Sequence, residues 1–417
     1  KYSNALLLAI KTREVTPLEI EEDIAEIVLL SKTLGLSVVD INSHNLKNIY
    51  PATYISKAKA EQIINIAKEL KCENIIINVD ITPSQMKNLQ DIAGYEIRIL
   101  DRTAVIIDIF SVHAQSGEAK TQVNLAKLEY MLPRLTKQWT HLERQMGGTG
   151  TRGGPGEKQI EIDRRLIRNQ INKLKKNLDS IFRSRSTQNK KRENIYKVSL
   201  VGYTNSGKST LMQSLTNQEV YIKDVLFATL GTMTRKVNID KHNKLLISDT
   251  VGFIRNIPTN LLNSFRSTLS ELQISDLLVK VIDITSEEIE KHINSINKVL
   301  EYLKLEEKDF LIVFNKIDLF NNVEVINKIK KTYPNSIFLS ARKNIRINYL
   351  IERIKDKMNK DDIIKEIILP YKKIHLIDFI YSNSTVLFRE NKNSSIRFRI
   401  KGKVGIITKI ENKIDTK

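Results

Sequence analysis

Nine consecutive residues, Gly202-Tyr203-Thr204-Asn205-Ser206-Gly207-Lys208-Ser209-Thr210, have the types and spacing that cradle a polyphosphate. They follow the short apolar stretch Lys197–Val201, so they read as strand end, glycine loop and helix start, the context that GxxxxGK[ST] requires. Glycine lets backbone N–H groups turn toward phosphate oxygens, and the N-terminus of the following helix favours negative charge. Lys208 places a point charge on β- and γ-phosphates, and the Ser209 hydroxyl is a hard oxygen ligand for Mg²⁺. A chance glycine loop would not match eight positions in that setting.

Two further motifs belong to the same chemistry. Leu245–Ser248 reads as a strand that ends in Asp249-Thr250-Val251-Gly252. Asp249 stands where a carboxylate grips Mg²⁺ through water, and the Gly252 N–H can bond a γ-phosphate. Asn315-Lys316-Ile317-Asp318 follows the apolar run Phe310–Phe314. The Asp318 carboxylate can accept from guanine N1–H and the exocyclic amine; adenine lacks that donor pair, so the site selects GTP and GDP over ATP. Lys316 can lie over the base, and Asn315 can tie its loop to the phosphate loop. Ser340-Ala341-Arg342 ends another strand and would offer a backbone N–H to guanine O6. Between the phosphate motifs lies Phe227-Ala228-Thr229-Leu230-Gly231, where a switch threonine belongs. Thr229, Thr232 and Thr234 all qualify by position, and spacing does not choose between them. Phe253 follows Gly252 where Ras-like enzymes carry a water-orienting glutamine. A phenyl ring cannot orient water by hydrogen bonding, so unaided hydrolysis is expected to be slow.

These motifs need parallel strands feeding loops, and the chain supplies them. Its fold class is α/β: a P-loop GTPase domain with an N-terminal α/β domain, a projecting helical hairpin and a small α+β C-terminal domain. The expected boundaries are 1–115, 116–195, 196–360 and 361–417. In the first segment Asn4–Ile10 reads as a strand, and Ser37–Ile41 and Asn74–Val79 read as buried strands. Pro17–Leu34 and the stretch near Ala58–Leu70 read as helices, with Thr16 as an N-cap and Pro17 at the first helical position. From Glu118, Val123, Leu125, Leu128, Leu132 and Leu135 recur at helical spacing. Six glycines in the ten residues Gly147–Gly156 make a loop, and Ile160, Ile167, Ile171, Leu174, Leu178 and Ile181 stripe a second helix. The tail reads as strands Ile363–Leu369, Val386–Arg389 and Ile396–Ile400, with a helix near Lys372–Tyr381.

Hydrophobic residues make up 41% of the 417, enough for globular cores. No apolar run approaches the ~20 residues that span a bilayer, so no membrane insertion is expected. No signal peptide is visible, and a lone cysteine, Cys72, fits a reducing, cytoplasmic setting. The net charge of +19 is unevenly spread. Residues 1–156 carry 18 basic and 18 acidic side chains, residues 157–197 carry 13 and 5, and residues 365–417 carry 12 and 5. Positive charge gathered in one arm and one tail suits a phosphate-backbone partner. No Trp- or Phe-rich amphipathic helix accompanies it, which disfavours a lipid surface.

With these residues on the page, the chain resembles the HflX family of ribosome-associated GTPases. Asp101-Arg102-Thr103, Ile107–Phe110, Gln122–Ala126 and Leu132–Leu135 are similar to the family's N-terminal signature. Gly147–Glu157 with Asp163-Arg164-Arg165 resembles its glycine loop and second helix, and Phe227–Leu230 with Asp249–Ile254 resembles its two switches. The resemblance implies that Thr229 is the switch threonine and, with Ser209, a Mg²⁺ ligand. It implies binding to the large ribosomal subunit and its rRNA, splitting or rescue of stalled ribosomes, and Arg152 as an rRNA contact at the hairpin tip. It also implies a monomer off the ribosome, cytoplasmic, meeting membranes only peripherally through ribosomes. Two places depart from the family: Gly231-Thr232 stands for Asp-Pro, and Ser56-Lys57-Ala58-Lys59 for Gly-x-Gly-Lys. A GTPase that assembles or chaperones the large subunit without splitting anything is the alternative. A tRNA-modifying GTPase would need a C-terminal cysteine, and Cys72 lies far upstream.

Overall fold

The computed structural model describes residues 3–12, 16–135, 156–190, 195–216, 233–239, 244–250, 252 and 271–415. They fall into two compact units; the first holds the described residues up to Lys190 together with Thr250 and Gly252, and the second holds the rest.

The first unit is built on a parallel sheet of order β2-β1-β3-β4, formed by β1 (Ser3–Lys11), β2 (Leu36–Asn45), β3 (Asn74–Ile77) and β4 (Arg98–Asp101). A central parallel strand is covered on both faces, so it reads as a continuous apolar run; Ala5–Ile10 is buried throughout. The expectation of a buried strand at Ser37–Ile41 is corrected: β2 lies at the sheet edge and none of its residues is buried, with Val39 and Ile41 exposed. One face packs on α1 (Pro17–Thr33), α4 (Arg102–His113) and α5 (Gly117–Met131) through Leu7, Ile27, Val105, Phe110 and Val123. The other packs on α2 (Lys57–Glu69) and α3 (Pro83–Ala93) through Leu6, Leu8, Ile63, Ile64 and Leu89. Thr16 caps α1 as expected: its hydroxyl accepts from Glu19 N, Glu19 reaches back to Thr16 N, and Pro17 opens the helix. Ser56, one of the departing residues, caps α2.

The hairpin's second helix, α6 (Gly156–Lys190), packs on α5 along the expected stripe. Leu125, Ile171 and Leu178 are buried there, with Leu128, Leu132, Ile167, Leu174 and Ile181 around them, and Lys175 pairs with Glu129 at 2.8 Å. A buried polar knot joins this hairpin to the sheet. Asp101, fully buried at the end of β4, accepts from Ala104 N at 2.8 Å, the Tyr130 hydroxyl at 2.8 Å and Arg134 Nη2 at 3.2 Å. Arg134 also donates to the Ile81 carbonyl at 2.9 Å and lies 3.6 Å over the Tyr130 ring. Burial pushes the Asp101 carboxyl up despite these donors, and pushes the Tyr130 phenol up as well.

The second unit carries a six-stranded sheet of order β10-β9-β8-β5-β7-β6. Its strands are β5 (Tyr196–Gly202), β6 (Met233–Asn238), β7 (Lys244–Asp249), β8 (Leu277–Asp283), β9 (Phe310–Asn315) and β10 (Ile337–Phe338). All pairs are parallel except β6 with β7. The chain leaves β5 for β7 on one side and returns to β8 on the other. That reversal opens a crevice at the carboxyl end of β5, where ligands of such sheets bind. Among the described residues of the same domain run the helices α7 (Lys208–Thr216), α8 (Ile289–Tyr302), α9 (Val323–Thr332) and α10 (Ile347–Met358).

The C-terminal part is an antiparallel sheet of order β11-β13-β12, from β11 (Asp362–Pro370), β12 (Thr385–Asn391) and β13 (Ser395–Lys403). One expectation is sharpened here and one element is new. The helix anticipated near Lys372–Tyr381 is a 3₁₀ stretch, Tyr371–Leu376, with Lys373 outside helical geometry, and becomes α-helical only as α11 (Ile377–Asn383). A last helix not anticipated at all, α12 (Val404–Asp415), follows β13 without a break. It buries Ile407 and Ile410 against Phe398 and Ile400. Among the described residues, no helix is long and apolar enough to cross a membrane.

Candidate nucleotide site

The loop between β5 and α7 holds its shape through its own backbone. Ser206 N donates to the Tyr203 carbonyl at 3.2 Å, and Leu211 N to the Gly207 carbonyl at 2.8 Å. Asn205 (φ 61°) and Gly207 (φ 88°) both take left-handed conformations, which asparagine tolerates and glycine adopts freely. A Cβ at Gly202 would collide with the Val281 carbonyl of β8, and one at Gly207 with the Asn315 side-chain amide. Gly202 is therefore required by the close approach of the β8 backbone, and Gly207 by its left-handed φ with the Asn315 amide against it. Thr204 and Ser206 are buried in the turn.

Lys208 is buried at the base of the loop, where Nζ donates to the Gly202 carbonyl at 3.0 Å and the Tyr203 carbonyl at 2.8 Å. Burial pulls its ammonium down to about 8, with Asp249 opposing the shift. Ser209 Oγ donates to Asp249 Oδ2 at 2.6 Å, so the end of α7's first turn meets the end of β7. A hydroxyl and a carboxylate oxygen side by side are the hard donors that Mg²⁺ takes, and the pair fits that ion. Thr234, one of three switch candidates, lies in β6 with its hydroxyl sharing a hydrogen bond of 2.9 Å with Ser248 Oγ. It is thereby engaged in the sheet. Thr229 and Thr232, with Phe227, Ala228, Leu230 and Gly231, lie outside the described residues, as do Val251, Phe253 and Arg152. Thr250 and Gly252 are buried in the first unit.

Asn315, at the end of β9, joins three loops. Its Nδ2 donates to the Ser206 carbonyl at 2.9 Å and its Oδ1 accepts from Ala341 N at 2.9 Å. This tie between the asparagine and the phosphate loop is the one its spacing suggested. In the same loop the Ala341 N–H donates to Asn315 Oδ1 and the Ser340 N–H to the Ile345 carbonyl. Arg342, exposed, is left as the member of that triplet facing out. Ile317 and Asp318 form a short 3₁₀ turn in which both are half-buried.

Two residues here escaped the sequence reading. Asp283, at the end of β8, accepts from Thr285 N at 3.0 Å and its hydroxyl at 2.7 Å through Oδ1, and pairs with Lys316 Nζ at 2.6 Å through Oδ2. Lys316 takes a left-handed conformation (φ 68°), and the pair ties its ammonium to the end of β8. An Asp-x-Thr turn at a strand end was visible in the sequence, but nothing linked it to a lysine 33 positions on. His292, on α8, stacks on Tyr203 with ring centroids 4.2 Å apart and planes 15° apart. No motif marks a histidine on a helix as the floor of a phosphate loop.

Comparisons with known proteins fit this geometry. Family profiles match three stretches: "GTP-binding GTPase N-terminal" over residues 21–111, "GTP-binding GTPase Middle Region" over 113–192, and "50S ribosome-binding GTPase" over 197–316. GTPase HflX of Flavobacterium psychrophilum is 38% identical over 393 residues, covering 91% of this chain and 93% of that one. GTPase HflX of Escherichia coli is 36% identical over 341 residues, covering 81% and 79%. Among solved structures, the GDP complex of the protein SsGBP is 29% identical and covers 85% of this chain and 98% of that one, with a TM-score of 0.48. Identity sustained across nine-tenths of both sequences, on a chain whose phosphate loop and NKID turn are built into one crevice, shows that this protein belongs to the GTPase HflX family.

Proposed function

We propose that this GTPase binds the large ribosomal subunit through rRNA and splits or rescues stalled ribosomes, with hydrolysis timing its release. One observation carries the proposal: α6 exposes Arg165, Arg168, Lys173, Lys175, Lys176 and Arg183 in a chain whose nucleotide domain matches a ribosome-binding GTPase profile. A helix face of that charge attracts an RNA backbone. In the nucleotide site, Lys208 charges the β- and γ-phosphates, Asp318 reads guanine, and Lys316 covers the base. Ser209 and Thr229 would ligate Mg²⁺ directly and Asp249 through water; the ion neutralises phosphate charge when bound. Thr229 and the Gly252 N–H would sense the γ-phosphate, so that GTP orders the switches and hydrolysis releases them. Arg152 would touch rRNA. Asp318→Asn should shift preference from guanine toward xanthine nucleotide.

The test is a sucrose-gradient profile of ribosomes incubated with the protein and a non-hydrolysable GTP analogue. Splitting predicts a rise in free subunits at saturating binding. An unchanged ratio of subunits to ribosomes would remove the splitting claim, and preference for immature particles would favour an assembly role.

A further inference from the structure

The family profiles end at residue 316, and the C-terminal sheet beyond them has an open face. Along β13, Ile396, Phe398 and Ile400 point into the core shared with α11 and α12, so Arg397, Arg399 and Lys401 alternate onto the opposite face. The register sets their neighbours there. Ile364, Glu366 and Ile368 of β11 stand opposite Lys401, Arg399 and Arg397, and Phe388 and Glu390 of β12 stand opposite Arg399 and Arg397. Phe388 is 53% exposed, Ile364 53% and Ile368 62%. Arg397 is braced by Glu366 and lies near Glu390, whereas Arg399 and Lys401 form no ion pair with a described residue. The Lys403 end of the sheet is turned to Tyr196, 5.9 Å away, and takes no part.

We infer that this open face docks a single-stranded segment of RNA, with Phe388 as the platform for a stacked base and Arg399 and Lys401 as phosphate contacts. The inference rests on the rRNA-binding role proposed above and locates one surface that performs it. Charge selects the occupant: Glu366 and Glu390 both gather on Arg397, which leaves Arg399 and Lys401 as the cations of this face that pair with no acidic side chain among the described residues. A cross-strand aromatic–arginine pair on an open sheet face offers a π-face and a phosphate donor side by side, the arrangement by which sheet surfaces bind unpaired bases. A β-bulge between Val386 and Phe388 shifts the register so that Phe388 lands beside Arg399. Without it, strand alternation would place Phe388 on the core face with Val386.

The experiment compares the full-length wild type with Phe388→Ala, Arg399→Glu and, as a control of equal charge change on the helical side, Lys409→Glu. Binding is measured to a labelled single-stranded RNA oligonucleotide and to purified large subunits, across salt. Phe388→Ala should weaken both about tenfold with an unchanged salt slope. Arg399→Glu should weaken both at least tenfold and lower the salt slope by about one. Lys409→Glu should change either less than about threefold. Equal effects of Arg399→Glu and Lys409→Glu overturn the inference while leaving ribosome binding intact. Loss of subunit binding with oligonucleotide binding untouched overturns RNA as the occupant in favour of a protein. Oligonucleotide binding that needs Phe388 and Arg399, in a protein that ignores subunits, upholds the face and removes the ribosome proposal.

Discussion

Lys208 has its charge suppressed by the burial that makes it useful. The folded pocket holds its ammonium near 8 against an ordinary 10.5, so between those values the unfolded chain binds more protons at this site than the folded one. Its contribution to stability therefore rises with pH across that window. Nucleotide phosphates act oppositely, because they favour the charged lysine. GDP affinity should be flat near neutral pH and fall by up to about tenfold per unit above pH 8, with proton uptake visible as buffer-dependent heats in titration calorimetry. A flat affinity through that range would show that Lys208 stays charged in the empty pocket. Asp283 gives a second test. Asp283→Asn keeps an acceptor for Thr285 but drops the charge that holds Lys316. GDP release should accelerate about tenfold in a fluorescent-nucleotide chase with little change in melting temperature, and Asp283→Glu should recover part of the loss.

At the scale of elements, Asp101, Tyr130 and Arg134 decide how firmly the hairpin's first helix is joined to the N-terminal sheet. Arg134→Ala would strip a cation from a fully buried carboxylate, and should cost about 3 kcal/mol in urea unfolding of the first unit. Arg134→Lys should restore little, because an ammonium cannot span Asp101, the Ile81 carbonyl and the Tyr130 ring together. Elements with punctuation were legible in the sequence. Thr16 and Pro17 announced α1, and the apolar run Asn4–Ile10 announced a strand. α12 was not legible as a separate element, although Ile407 and Ile410 have helical spacing. Gly402 and Gly405 bracket the junction, but the residue before Val404 is Lys403 rather than Ser, Thr, Asp or Asn, so no helix-start signal marks it.

For the whole molecule, charge is the property with reach. The basic arm and tail flank domains that are near neutral, and electrostatic attraction to RNA weakens steeply with salt. GTP turnover should rise when large subunits are added, and that stimulation should fall at least about tenfold between roughly 50 and 200 mM salt. Unstimulated turnover should hardly change. A salt-insensitive stimulation would show that contacts other than phosphate pairs dominate.

The amino-acid sequence by itself determined the chemistry of the nucleotide site. Phosphate loops and base-reading turns are contiguous runs whose backbone conformation is local, so Gly202–Ser209 and Asn315–Asp318 could be recognised without coordinates. Apolar runs and spacing also made several strands and the stripe of the hairpin helices legible, though not the strands Arg98–Asp101, Met233–Asn238 and Leu277–Asp283. Only the tertiary structure decided which distant residues serve that site. Asp283 meets Lys316, His292 lies under Tyr203, and Ala341 spends its N–H on Asn315, because parallel strands bring their carboxyl ends together whatever their separation in sequence. The placement of Phe388 beside Arg399 was likewise invisible beforehand, since one bulged residue moves a side chain to the other face of a sheet.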